Sequence, residues 1–143
     1  MKRVISIFLL LTAMLFSLGA CGTGHLKIDQ YEWTLRYAMC GEDGNLEVPA
    51  VGEVSSAYPE AKVVEIKLIA DKGKITVIDL TNDKTYDGMY KTTGINPNGT
   101  DYEVTIDGKS GYATVAMTEY YGGSEEPTLP INLGDYSLYF YAE

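Results

Sequence analysis

Residues 31–39 alternate without interruption, with Tyr31, Trp33, Leu35, Tyr37 and Met39 on one side and Glu32, Thr34, Arg36 and Ala38 on the other. A period of two sustained this long is that of a half-buried strand. The rhythm returns from residue 63 onward in short runs. Residues 63–70 place Val64, Ile66 and Leu68 on one face and the charged Glu65 and Lys67 opposite. Asp71-Lys72-Gly73 turns the chain into a strand over 74–80, and Thr81-Asn82-Asp83 turns it into another over 84–91. Residues 92–100 carry Gly94, Pro97 and Asn98-Gly99 and read as a longer loop. Strands over 101–106 and 111–118 flank Asp107-Gly108, a two-residue hairpin signal. Residues 120–127 contain Gly122-Gly123 and read as a loop, and strands over 128–133 and 136–142 meet at Gly134-Asp135. Between Cys40 and Lys62, Gly41, Gly44, Pro49, Gly52 and Pro59 leave room for at most one helical turn, near residues 53–58.

Short strands at this spacing, with no run of helical period between them, predict an all-β antiparallel domain. Sequential hairpins favour an up-and-down sheet. An eight-stranded sheet in that order removes its exposed edges by closing into a barrel. The alternative is a two-sheet β-sandwich of immunoglobulin-like topology.

The first twenty residues follow a different rule. Met1-Lys2-Arg3 is basic, residues 4–18 are apolar apart from Ser6, Thr12 and Ser17, and small residues follow. A bilayer span takes roughly 20 apolar residues, so this segment reads as a secretory signal peptide, residues 1–20. Leu18-Gly19-Ala20-Cys21 resembles the bacterial lipobox. The resemblance implies cleavage before Cys21, a thioether-linked lipid on it, and acyl chains such as palmitate holding the protein to the extracytoplasmic face of a membrane. Residues 21–28 then form the lipidated cysteine and a short tether, and residues 29–143 the barrel domain.

The chain has 143 residues, 45% of them hydrophobic and 22% charged, which fits one globular domain. Loss of Lys2 and Arg3 with the leader leaves 9 basic residues against 20 acidic, a net charge of −11. Such a balance argues against nucleic acid, where cations must replace counterions on phosphates. It is also repelled by an anionic bilayer, so attachment falls to the acyl chains, at about 0.8 kcal/mol per buried methylene. With Cys21 lipidated, Cys40 stands alone, and an exported domain of this kind must be held by its core. The acidic neighbours of Cys40, Glu42 and Asp43, do not favour a reactive thiolate.

Candidate chemistry is sparse. The sole histidine, His25, falls in the tether, where nothing holds an imidazole against a nucleophile or a metal. Glu125-Glu126, Asp83 with Asp87, and Asp101 with Glu103 fall in turns or on exposed strand faces, where carboxylates serve turn formation and solubility. Asn96-Pro97-Asn98-Gly99-Thr100-Asp101 is rich in oxygen but lacks the carboxylates of a calcium loop, and turn chemistry accounts for it. The sequence therefore points away from an enzyme, a cofactor and a resident metal. Tyrosine is the unusual feature: all 12 lie beyond residue 20, against one Trp in the whole chain. Tyrosine couples apolar area to a polar tip and suits pocket walls and interfaces.

A strand carrying Trp33, a long lead-in and then a meander make up the mature chain. The meander holds Lys84-Thr85-Tyr86-Asp87-Gly88-Met89-Tyr90 and Tyr102-Glu103-Val104-Thr105-Ile106-Asp107-Gly108, and the chain closes on Gly134-Asp135-Tyr136-Ser137-Leu138-Tyr139-Phe140. The arrangement resembles the small bacterial lipocalin-like lipoproteins of the calycin group. Where lipocalins open the first strand with Gly-x-Trp, Tyr31-Glu32-Trp33 stands here, and residues 128–143 contain no Lys or Arg to pack on that indole. The resemblance implies a membrane-tethered binding module for a small, partly apolar ligand in the bacterial envelope. Its candidate lining is Trp33, Leu35, Ile66, Leu68, Tyr86, Tyr90 and Tyr102. The alternative is a filled barrel that engages an envelope protein, in the manner of an inhibitor, through surface Tyr120, Tyr121, Tyr139 and Tyr141.

Overall fold

The computed structural model describes residues 25–42, 45–46, 50–53, 56 and 59–143. The expected signal peptide over residues 1–20 and the expected lipidation site Cys21 lie outside the described residues. Strand β1 (Glu32–Glu42) is followed by three two-residue strands, β2 (Asn45–Leu46), β3 (Ala50–Val51) and β4 (Lys62–Val63). Seven longer strands complete the chain: β5 (Ile66–Asp71), β6 (Lys74–Asp79), β7 (Lys84–Asn96), β8 (Gly99–Ile106), β9 (Lys109–Glu119), β10 (Glu125–Leu133) and β11 (Tyr136–Ala142). Successive strands from β5 to β11 pair antiparallel, β5 pairs with β1, and β1 pairs with β11. The result is a closed eight-stranded antiparallel up-and-down barrel, not a sandwich. Its wall lies wholly within residues 32–142.

Local chemistry explains the turns. Lys72-Gly73 and Asp107-Gly108 have positive φ at both positions (47° and 85°, 50° and 74°). That is the type I′ geometry whose twist matches a hairpin, and glycine takes the second position without a Cβ penalty. The loop expected over 92–100 shrinks to Pro97-Asn98, because β7 runs on to Asn96 and β8 begins at Gly99. Asn96 accepts the Asn98 amide through Oδ1 (2.9 Å) and donates its own amide to Asp101 (3.0 Å), so side chains within the turn fix its shape. In the same way β10 starts at Glu125 and includes Pro127, a residue that argues against a strand when read in sequence.

The unbroken alternation of residues 31–39 conceals a bulge. Leu35 stands opposite Phe140 and Tyr37 opposite Tyr139, so Arg36 is the extra residue. Trp33 and Leu35 point inward. Beyond the bulge the faces exchange: Ala38 packs on the core and Tyr37 lies outside, its ring stacked on Tyr139 at 5.0 Å. Here β1 also leaves β5, after Thr34, and β3 takes the vacated side through Tyr37 and Ala38. The Arg36 carbonyl accepts the Gly52 amide at 2.9 Å.

One end of the barrel is plugged. A 3-10 turn over Ile28–Gln30 drives Ile28 into the interior, where it is fully buried against a core that includes Trp33, Leu68, Tyr102, Val104, Val115 and Phe140. Burying an apolar side chain of this size contributes about 1.5–3 kcal/mol. The polar groups carried in with it are satisfied. The Ile28 carbonyl accepts from the Trp33 indole (2.8 Å), and the Ile28 amide donates to the Tyr102 hydroxyl (3.1 Å). The Leu26 carbonyl accepts from Thr100 at 2.7 Å. The tether expected over 21–28 is therefore part of the barrel from Leu26 onward. Burial raises the pKa of Tyr102 above the usual phenol value.

Tyr102→Phe leaves the buried Ile28 amide without an acceptor. We expect a loss of about 1–3 kcal/mol in urea unfolding with an unchanged m-value; an unchanged midpoint would show that the plug does not depend on this bond.

Candidate functional site

The strand directions place the turns at 80–83, 107–108 and 134–135 at the end opposite the plug. That end is open. A cavity of about 340 Å³ enters between Leu35, Ile66, Val77 and Tyr86 on one side and Ile106, Leu133, Leu138 and Phe140 on the other. Asp79, Asp107, Lys109 and Tyr136 complete its boundary. The cavity lies where β1 and β5 have parted: their pairing ends at Thr34 opposite Lys67, and Leu35 and Ile66, the next inward-facing residues on each strand, line its wall.

Polar groups at the mouth are few and mostly engaged. Both oxygens of Asp79 bind Asn82, one its backbone amide (3.0 Å) and one its side chain (2.7 Å), which caps the turn that follows. The Lys109 ammonium lies 5.6 Å from the centre of the Tyr136 ring, on which its stem and charge rest. The mouth can therefore receive a compact apolar body and meet a polar substituent at its rim with Lys109 or Asp107.

Of the seven candidate lining residues, the cavity brings together Leu35, Ile66 and Tyr86. Trp33, Leu68 and Tyr102 are instead sealed in the core around the plug, and Tyr90 packs edge-on against Tyr102 at 5.5 Å. These four lie too near the closed end, where Ile28 occupies the space a ligand would need. Val77, Ile106, Leu133, Tyr136 and Leu138 line the mouth and were not picked out in sequence. Their signal is positional: each is an inward-facing residue close to the turns at 80–83, 107–108 or 134–135.

The outer tyrosines form a second assembly. The Arg36 guanidinium, projected outward at the bulge, sits between the rings of Tyr141 (4.6 Å) and Tyr120 (4.9 Å) and donates to Glu126. The Tyr120 hydroxyl is shut off from solvent without a well-aligned partner. Its pKa is pushed up by that burial and by its neighbours Glu126 and Tyr139. Partial burial pulls Tyr139 the same way. The neighbouring hydroxyls of Thr118, Thr128 and Tyr120, together with the Arg36 charge, nevertheless hold it below the usual phenol value. Tyr120, Tyr139 and Tyr141 are thus spent largely on Arg36 and on one another, and Tyr121 stands apart, fully exposed.

The remaining candidates have structural partners. Asp101 accepts from Asn96 (3.0 Å) and Thr114 (2.8 Å), which ties the β7–β8 turn to β9. His25 is exposed at the plugged end. Among the described residues, no three His, Cys, Asp or Glu side chains converge as a metal site would require. No family model, curated protein or solved structure matches this chain.

Proposed function

We propose that this protein is a lipid-anchored, extracytoplasmic lipoprotein of lipocalin-like type that holds a small, largely apolar ligand in the open mouth of its barrel. The observation that carries the reading is the cavity of about 340 Å³, walled mainly by apolar side chains and, among the described residues, uncovered at the end opposite the plug. Its size falls in the range of sites that enclose one small molecule. The role is binding rather than catalysis: Asp79, the acid best placed to act inside, is committed to the Asn82 turn.

The plug adds a direction. The chain reaches the barrel at its closed end, and Leu26 is already packed there. Four residues separate it from Cys21, five backbone steps with a reach of at most about 18 Å. A lipid on Cys21 holds the closed end next to the bilayer and turns the mouth toward the aqueous compartment. The ligand therefore enters from solution, not from the membrane below.

Two experiments test the reading. Residues 25–143, which contain the whole barrel, should enhance the emission of N-phenyl-1-naphthylamine saturably. Ile66→Trp fills the mouth and should weaken that binding ten-fold or more with the urea midpoint little changed; equal binding by the variant would remove the mouth as the site. Cys21→Ser in the full chain should move the protein from the membrane to the soluble fraction, and retention in the membrane would refute the anchor.

A further inference from the structure

The outer wall carries a second concavity, of about 400 Å³, distinct from the mouth. It crosses β9, β10, β11 and β1 in two cross-strand rows. The first runs Tyr112, Asn132, Ser137, Met39, and the second sets Pro130 opposite Tyr139 and Tyr139 opposite Tyr37. Pro130 contributes to its shape. The β9–β10 ladder has partners at Thr128 and Ile131 but none at Leu129 or Pro130, as expected where a residue has no N–H to give.

We propose that this groove binds a neutral glycan, one pyranose ring lying between Tyr112 and the stacked pair Tyr37–Tyr139. Three observations converge on that chemistry. The walls are aromatic: Tyr112 is 65% exposed on one side, and the parallel rings of Tyr37 and Tyr139 stand on the other. A pyranose has C–H faces that pack on such rings, and tyrosine offers that area at low entropic cost. Unspent polar groups border the groove. Among the described residues, no hydrogen bond engages the Asn132 amide, the Ser137 hydroxyl or the Tyr112 hydroxyl, whereas those of nearby Thr114, Thr118 and Thr128 are all used. These three groups both donate and accept, as sugar hydroxyls do. A proline-rich segment, the other ligand that aromatic grooves hold, presents carbonyl acceptors without matching donors. Finally, the lining contains no charged residue, although 22% of the chain is charged, which selects an uncharged ligand.

The test uses the full-length protein extracted in a sugar-free detergent and titrated calorimetrically with chitotetraose and with cellotetraose. At least one should bind saturably. Tyr112→Ala should weaken that binding ten-fold or more, and Asn132→Ala three-fold or more. Tyr121→Ala, remote from the groove, and Ile66→Trp, in the mouth, should leave it unchanged. Failure of both oligosaccharides to bind, wild-type affinity in Tyr112→Ala, or saturable binding of decaproline in place of the sugars would overturn the proposal. Loss of binding in Ile66→Trp alone would place the sugar in the mouth and equally overturn it.

Discussion

The pairing of β1 with β11, running from Trp33 opposite Ala142 to Cys40 opposite Tyr136, is the constraint on which the rest of this structure depends. Without it the sheet is an open meander with two unpaired edges, which invite association with other chains. With it the sheet acquires an inside, and the alternation of each strand becomes a division between core and solvent. The C-terminal residue reinforces the seam. The Glu143 amide donates to the Glu32 carbonyl (3.0 Å), and its carboxylate accepts from Thr34 (2.7 Å) and Lys67 (2.9 Å). These partners hold the Glu143 carboxyl below the usual range and raise Lys67, so the clamp is complete near neutral pH and is lost as acid protonates the carboxylate.

Closure alone does not produce a site. An eight-stranded barrel is narrow enough for side chains to fill, and at one end they do. Ile28 enters as a plug, and the backbone groups that enter with it and with Leu26 find a donor or acceptor in Trp33, Tyr102 or Thr100, since an unpaired one would offset much of what the apolar burial contributes. At the other end β1 parts from β5 after Thr34, just before the bulge at Arg36, and the cavity occupies the interior there. The same bulge turns Arg36 outward into its cage of tyrosines and puts Tyr37 on the outer wall. One extra residue thus shapes the outer groove.

The eight strands and their tight turns were legible because each depends on local chemistry: period-two alternation, and glycine after a residue that tolerates positive φ. Strand ends were less so. Pro127 and Gly94 argue against regular structure locally, yet the neighbours of β10 and β7 overrule them. The bulge left no trace, since Tyr37 and Ala38 are each tolerated on either face. The plug was hidden too, because Leu26 and Ile28 lie among Gly, His and Lys in a segment that reads as a linker. Trp33, Leu68, Tyr90 and Tyr102 lie near the plug that the sequence hides, whereas Leu35, Ile66 and Tyr86, on equally inward faces, line the cavity. The outer groove could not be read from composition, because Tyr112, Asn132 and Ser137 are brought side by side only by cross-strand register.

Native-state hydrogen exchange along β11 tests the closed barrel most directly. If β1 and β11 form a continuous ladder, the amides of Leu138–Phe140 exchange only through global unfolding, as slowly as those of the interior strands β8 and β9. Exchange of these β11 amides within minutes while β8 and β9 stay protected would reveal a free edge, and with it the loss of the enclosed mouth.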